Sequence, residues 1–525
     1  MSDFSVVFRG GWVVDGSGGP RYLGTVAVKD DRIAVVSSGS PDLTAERTVD
    51  CTGLAIAPGF VDPHSHTDGS IVDNPHNENS IRNGITTEAT GNCGSSAAPG
   101  AASVSDWFSS LEQMKIGNNL ALFAGQGTIR QLAMGGETRG YPTVDELARQ
   151  KEILEAAMQD GCIGISSGRA YIPGCFASTW ECAELGRVVA KYDGIYTFHI
   201  QNQNEYVAEA TREVIQIGKR ADLPVLIAHQ KIMGKSNWGR AGEMVDMMER
   251  ARGCGIEVMS DVYPYNFSAV IHLGDRIVPR TADVDPAEAA RRLHEPAAAG
   301  QLYKYLASLP QAGGFLPYFH NLLPQYGIVW CAKTKEYEGL DVREAALQMG
   351  YDLYQAVINL LRDNDLGVKL AGIMSEDDVR TFLKWPHAMV GTDSSARDPA
   401  KDRVSAKISG VHPRCYGTHS RVLGHYVRET GLLSLEEAVK KMTSMPADYL
   451  GLADRGRLRP NLAADVVVFD PARVSDRATI EDPAALPVGI PYVMVNGRLA
   501  VDGGERTAVQ AGRALRDLQG RYPYQ

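Results

Sequence analysis

The chain has no excess of positive charge, no long apolar run and no paired-cysteine motif, and each absence removes a class of function. Its 53 Lys and Arg stand against 63 Asp and Glu, a net charge of -10, whereas a surface that tracks nucleic-acid phosphates needs a basic stripe. No stretch approaches the roughly 18 apolar residues that cross a bilayer. The opening MSDFSVVFRGGWVVDG also lacks the basic segment and apolar core of a secretory leader. A cytoplasmic protein that binds neither membrane nor nucleic acid is expected. Eight cysteines are spread over 525 residues with no C-x-x-C pair, which argues against a disulfide framework or a structural zinc finger. With 44% hydrophobic and 22% charged residues, the chain has ordinary globular composition, and small-molecule chemistry is left as the leading reading.

A chain of this length exceeds one ordinary core, so a large domain and a smaller one are expected. Residues 1–57 alternate apolar and polar positions in SVVFRG, GWVVDG, TVAVKD and RIAVVSS, bounded by Gly and Asp, the pattern of half-buried strands. From Ala55 the pattern changes to apolar runs separated by helical stretches such as VDELARQKEILEAAMQ, which is βα repetition with strands buried on both faces. Runs near 55–62, 84–90, 119–126, 162–167, 194–200, 223–229, 256–262 and 388–393 supply the eight strands of a closed (β/α)₈, TIM-like barrel over residues 58–457. A stretch at about 275–385, containing LPYFHNLLPQYGIVWCAK, is too long for a loop and reads as an insertion over the barrel mouth. Strand patterns return in ADVVVFD and YVMVNGRLAVDGG with hairpin-turn signals, so residues 458–525 are expected to join 1–57 in one small β-sandwich.

The chemistry sits where the apolar runs end. In APGFVDPHSHTD, His64 and His66 are two apart on an extended backbone, so both imidazoles point the same way. Cys93 follows GITTEATGN, His199 follows GIYTF, His229 follows LPVLIA and Asp393 follows HAMVGT. Taken singly, a buried His is more often a hydrogen-bonded core residue and a buried Cys an inert hydrophobe. Taken together, in a barrel these strand ends converge on one face, where such residues read as catalytic. Imidazole and thiolate donors suit Zn²⁺ better than Mg²⁺ or Ca²⁺. A catalytic zinc activates water near neutral pH, and Asp393 is placed to accept that water's proton and pass it to a leaving nitrogen.

These residues resemble the amidohydrolase superfamily and, more narrowly, the N-acyl-D-amino-acid deacylases, or D-aminoacylases. The resemblance rests on PGFVDPHSHTD, GITTEATGNCG, ISSGRAYIPG, LIAHQK, SDVYPY, VGTD, HPRCYGTHSRVLGHYVRE and ADRGRLRPNLAADVVVFDP in the family's order over nearly the whole chain. It implies zinc-dependent hydrolysis of N-acyl-D-amino acids, with the tight zinc held by Cys93, His199 and His229. A weaker second site would be lined by His64, His66 and Asp393. It further implies that Lys231 and Tyr265 hold the substrate carboxylate. Two departures touch specificity: Gln201 and Gln203 stand where a basic residue is more usual after His199, and His419 with Ser420 makes a pocket edge more polar. Hydantoinase- or dihydropyrimidinase-like hydrolysis of cyclic amides, or of other N-acyl and N-carbamoyl compounds, is the alternative. Cys93 in place of a bridging carboxylated lysine speaks against it. A non-catalytic interaction protein on the same fold is the bland alternative, and the full ligand set speaks against that. The sequence leaves the oligomeric state open.

Three other motifs are set aside. Gly164-Ile165-Ser166-Ser167-Gly168 matches a nucleophile elbow, but the following RAYIPG does not read as the helix that motif requires. Gly234-Lys235-Ser236 lacks the first glycine of a phosphate-binding loop. SLEEAVKKMT reads as an amphipathic helix on the barrel with solvated lysines.

Overall fold

The computed structural model describes residues 3–100, 102–135, 138–274, 286–308, 322–405 and 411–516. The N-terminal strands are β1 (Phe4–Val13), β2 (Tyr22–Lys29), β3 (Arg32–Ser38), β4 (Ala45–Asp50) and β5 (Ala55–Pro58). Seven barrel strands follow: β6 (Phe60–Asp62), β7 (Ile85–Thr90), β8 (Asn119–Gly125), β9 (Gly164–Gly168), β10 (Ile195–His199), β11 (Val225–Ile227) and β12 (Val258–Val262). Then come β13 (Ile271–His272), β14 (Tyr326–Cys331), β15 (Val368–Gly372), the last barrel strand β16 (Ala388–Val390), and β17 (Val466–Phe469), β18 (Tyr492–Val495), β19 (Arg498–Asp502) and β20 (Glu505–Arg506).

Strands β6 to β12 and β16 pair in parallel in the order expected of a (β/α)₈ barrel. The seam between β6 and β16 closes just past the strand ends, where His66 N donates to Ser394 O at 2.6 Å and Asp393 N to His64 O at 2.9 Å. The inward layer includes Val61, Ala89, Phe123, Ile195, Leu226, Met259 and Met389, closed below by Met445, Tyr449 and Leu450. Outward residues such as Leu122, Ile165, Tyr196, Phe198 and Val225 pack on the surrounding helices. Burial on both faces is why these strands read as continuous apolar runs.

The run 55–62, read as one strand, is two. β5 pairs with β1 and β17 in the terminal sheet, and β6 with β7 in the barrel. The change of partner falls at Gly59, where an added Cβ would lie 2.3 Å from Thr86 Oγ1. Apolar periodicity carries no sign of such a switch. The two termini meet in one nine-stranded sheet that forks on β1, which pairs with β2, β4 and β5 around its own small core of Phe8, Val26, Ile56, Val466 and Val468. Residues 517–525 of the expected C-terminal part lie outside the described residues.

Within the long insertion, residues 275–285 and 309–321 lie outside the described residues. The described part carries an antiparallel sheet of β13, β15 and β14 and helices Val342–Met349 and Leu353–Asp363. It is tied to the loops above the barrel: Gly234 N donates to Ile373 O at 3.0 Å, and Met233 and Phe267 bridge to Met374 and Ile373. The next helix, Glu376–Lys384, packs on β16 and β12 as one of the barrel's own helices.

Two sequence readings meet the structure here. Residues 164–168 are β9 itself, and Ser166 Oγ donates to Gly91 O at 2.6 Å, so it is not a nucleophile. The helix Leu435–Met442 has one lysine that is not solvated. Lys441 is 1% exposed and donates from Nζ to Trp385 O and Ala388 O at 2.5 and 3.1 Å, satisfying carbonyls beside β16. Burial lowers its ammonium to about 8. Among the described residues no helix is long and apolar enough to cross a membrane.

Candidate metal centre

Six side chains singled out from the sequence meet at the C-terminal mouth of the barrel. Cys93 Sγ lies 3.5 Å from His64 Nε2, 3.4 Å from His229 Nε2 and 3.8 Å from His199 Nδ1. Asp393 Oδ1 lies 3.1 Å from His66 Nε2 and 3.7 Å from His64 Nε2. The donor atoms of His64, Cys93 and His229, and those of His64, His66 and Asp393, form two groups within 4.8 Å. A tetrahedral ion with bonds of ~2.0–2.3 Å separates its ligands by about 3.3–3.8 Å, so the spacing fits a metal. The donor set fits as well: one thiol, four imidazoles and a carboxylate, with His199 turning Nδ1 toward Cys93. Burial and the Lys231 charge hold both His199 and His229 well below the usual histidine range, and a neutral imidazole is the form that ligates.

The backbone is bent to make this cluster. Cys93, His229 and Asp393 have φ of 55°, 36° and 50°, left-handed conformations that cost a non-glycine residue about 1–3 kcal/mol each. Their surroundings enforce the geometry. Gly94 N donates to Ser166 Oγ at 3.0 Å, His229 N to Asp261 Oδ2 at 3.0 Å, and Arg414 Nε to Asp393 O at 2.9 Å. Cys93 O sits so close to β9 that a Cβ on Gly168 would come within 2.2 Å of it. Left-handed residues at three strand ends turn the next side chain out of the strand's alternation and into the mouth.

Two carboxylates that the sequence reading passed over hold these candidate ligands in place. Asp261, buried on β12, accepts from His64 Nδ1 at 3.1 Å, which leaves the Nε2 lone pair facing Cys93 and Asp393, the usual partner arrangement of a metal-binding histidine. Asp62 accepts from His64 N and Thr392 N, both at 3.0 Å, tying the ends of β6 and β16. Asp393 is mostly shielded, with 11% of its side chain exposed, which disfavours its charge, yet Arg414 with His229 and His66 holds its carboxyl well below the usual range. Arg414 Nη2 takes Asp393 Oδ2 at 3.1 Å, so the other oxygen remains toward the histidines.

Beside the cluster lies a cationic corner. Lys231 is 5% exposed, with Nζ 5.1 Å from the centre of the Tyr263 ring, and the Arg414 guanidinium stands 4.9 Å from the same ring. Tyr263 Oη and Arg414 Nη1 are buried without partners. Tyr265, the tyrosine chosen from sequence, is elsewhere: its hydroxyl donates to Asp476 Oδ2 at 3.3 Å and Arg421 stacks on its ring at 5.0 Å. The cause is a tight turn at Pro264, closed by Tyr265 N donating to Tyr263 O at 2.9 Å, which breaks the two-residue alternation. His419 and Ser420 are likewise not at the pocket edge. His419 stacks on Phe60 at 5.3 Å and Ser420 bonds Asn83, partners at the N-terminal ends of β6 and β7, away from the mouth. Gln201 is exposed and lines a 650 Å³ surface cavity with Glu209, Arg212 and Glu213, whereas Gln203 is buried, its amide between His229 Nδ1 and Lys231 Nζ. A second cavity of 220 Å³, with no charged side chain in its lining, opens from Cys93 past Ser95, Thr128, Gln131, Tyr171 and Ile172.

Residues 47–134 and 371–501 match the Amidohydrolase family. The chain is 33% identical to the D-aminoacylase of Alcaligenes xylosoxydans xylosoxydans, an alignment covering 98% of this chain and 97% of that protein. It superposes on the crystal structure of N-acyl-D-glutamate deacylase from Bordetella bronchiseptica, complexed with zinc and a phosphonate mimic of the tetrahedral intermediate. That match has a TM-score of 0.76 and 31% identity, and covers 98% of this chain and 100% of that one. A D-hydantoinase from Thermus sp. shares the fold alone, at a TM-score of 0.56 and 13% identity over 98% of this chain and 99% of that one.

Proposed function

The chain belongs to the D-aminoacylase group of the amidohydrolase family, and from that premise we propose how its own residues hydrolyse the amide bond of an N-acyl-D-amino acid. It is a metal-dependent hydrolase of linear C–N amide bonds. Zinc is the metal the donors favour, held tightly by Cys93, His199 and His229, with a weaker position at His64, His66 and Asp393. Once bound, zinc supplies an acidified water and polarises the scissile carbonyl.

The protein's part is positioning and proton transfer. Asp393 Oδ1 accepts the proton of the attacking water as the O–C bond forms, then delivers it to the nitrogen as the C–N bond breaks, and the free amino acid and the carboxylic acid leave. Arg414, paired to Oδ2 at 3.1 Å, keeps Asp393 ionised and limits its motion. Lys231, Tyr263 and Arg414 receive the substrate carboxylate, which satisfies the partnerless Tyr263 Oη and Arg414 Nη1. These residues follow β11, β12 and β16, whereas the 220 Å³ cavity lies across the mouth, over the ends of β7, β8 and β9 and the helix Gln126–Met134 that follows β8. A substrate whose carbonyl sits at the ligand cluster then directs its acyl group toward that uncharged cavity.

The observation that carries this reading is the adjacency of a thiol, imidazole and carboxylate cluster to a cationic corner with unsatisfied donors. The test is amine release by the zinc-loaded protein from N-acyl D- and L-amino acids, their carboxamides, and hydantoins. Release selective for D-amino acids is expected, and release from hydantoins alone would overturn the reading. In the same assay Lys231→Ala is expected to lower kcat/KM for carboxylate substrates by about 10- to 100-fold, the worth of a charged hydrogen bond, chiefly through KM. The carboxamides should change little; an equal loss on both would remove Lys231 from the carboxylate site.

A further inference from the structure

Gln203 stands between the two halves of this site, and one amide cannot serve both. Its Nε2 lies 3.1 Å from His229 Nδ1, and its Oε1 accepts from Lys231 Nζ at 3.5 Å. The side chain is 3% exposed, and its carbonyl accepts from Met233 N at 2.7 Å, which fixes the backbone beneath it. Asn202 Oδ1, accepting from Asn204 N at 2.9 Å and Tyr206 N at 3.0 Å, fixes the loop around it.

Consider what each neighbour requires. A neutral imidazole carries one N–H. For His229 Nε2, which faces Cys93, to offer its lone pair to an ion, the proton must sit on Nδ1, and Nδ1 then needs an acceptor. The Lys231 ammonium has three donors and no acceptor, so it requires an acceptor too. Gln203 offers one oxygen and one NH₂. When the oxygen faces Lys231, as here, the NH₂ faces Nδ1 and holds His229 in the tautomer whose Nε2 carries the proton and cannot ligate. When the amide turns over, the oxygen serves His229 and the NH₂ opposes Lys231, donor against donor. The competition does not depend on which way the amide happens to be turned.

We propose that Gln203 couples metal binding to carboxylate binding: loading the site turns the amide toward His229 and releases Lys231 to the substrate, and a bound carboxylate, by drawing Lys231 away, frees the same oxygen for His229. Linkage makes the effect reciprocal. The inference rests on His229 being a metal ligand and Lys231 a carboxylate-binding residue, as set out above. Gln203 is a positioning residue in this scheme, since it touches neither the reacting carbonyl nor the water. A glutamate in its place, with two acceptor oxygens, would serve both neighbours at once and abolish the competition.

The experiment is a zinc-affinity measurement by chelator competition on the full chain, alone and saturated with N-methanesulfonylglycine, a hydrolysis-resistant carboxylate, or with its carboxamide. In the unmodified protein the carboxylate is expected to tighten zinc by at least about fivefold, the lower range of measured site-to-site couplings, and the carboxamide to leave it unchanged. In Gln203→Glu zinc should be tight without the probe and the probe's effect should vanish. Gln203→Met should weaken zinc by about tenfold, as loss of a ligand's hydrogen-bond partner does, and should also lose the coupling. Equal tightening in Gln203→Glu and the unmodified protein would mean that the probe ligates zinc directly and would overturn the proposal. So would an unmodified protein whose zinc affinity ignores a saturating probe. Probe binding that Lys231→Ala leaves intact would instead overturn the carboxylate reading beneath it, so the two failures are distinct.

Discussion

Replacing Asp393 by alanine is expected to lower kcat by about 10³-fold, the middle of the range for loss of a general acid–base group, while zinc stays bound at the tight position proposed for Cys93, His199 and His229. The separation of effects follows from position. Asp393 Oδ1 has His66 and His64 as its near neighbours, at 3.1 and 3.7 Å, whereas His199 and His229 are neighbours of the Cys93 sulfur, at 3.8 and 3.4 Å. The substitution also strands a buried guanidinium, because Arg414 Nη2 loses its 3.1 Å partner, and some loss of thermal stability should accompany it. Asp393→Asn keeps the shape and removes the basicity, so it separates the two causes: a comparable fall in kcat with near-native unfolding temperature is expected. Activity within tenfold of the unmodified enzyme in both variants, at equal zinc content, would assign proton transfer elsewhere.

Cys93→Ala should cost metal rather than chemistry alone. Its sulfur is the common neighbour of His64, His199 and His229 at 3.4–3.8 Å. Removing it should weaken the tight site by more than about 100-fold, the upper end of what losing a ligand's mere hydrogen-bond partner costs. Zinc content after dialysis against a chelator is the readout. Burial raises the thiol's own proton affinity, so the thiolate that ligates is formed on metal binding with release of a proton, and the unmodified protein's zinc affinity should rise with pH where the alanine variant's does not. A Cys93→Ala protein that keeps stoichiometric zinc through dialysis would take the thiolate out of the site.

Why so much of the centre could be read from the chain has a physical basis. His64, His66, Cys93, His199, His229 and Asp393 each follow an apolar run, and a barrel brings the ends of such runs to one face. What could not be read depends on local turns and on distant chain. That Tyr263 and not Tyr265 faces Lys231 follows from a three-residue turn at Pro264, which no alternation pattern records. Arg414 lies on the helix Arg414–Arg421, well past the end of β16, so nothing near it in sequence announces the site. Asp261 sits within a strand whose other residues are mostly apolar, and its role shows only when His64 is placed opposite. Gln203, noted for the charge it lacks, matters for the two hydrogen-bonding faces it has. In the fold, the eight runs were legible because both faces of each strand are buried, and the partner change at Gly59 was not, because apolar sequence does not say which neighbour it will pair with.

The way the barrel closes gives the ion a second consequence. Its seam is fastened by the amides of His66 and Asp393 and the carbonyls of His64 and Ser394, so the residues proposed to grip the metal are also the ones that join the first strand to the last. Breathing motions that part this seam must pull the ligands apart, and an ion at a thousand times its dissociation constant opposes them by about 4 kcal/mol. A chelator then acts on this protein as a local denaturant: in the stripped enzyme the His66 and Asp393 amides should exchange their hydrogens sooner than those of β9 and β10 on the far side of the ring, and the wall that opens first is the one through which the catalytic carboxylate enters the site.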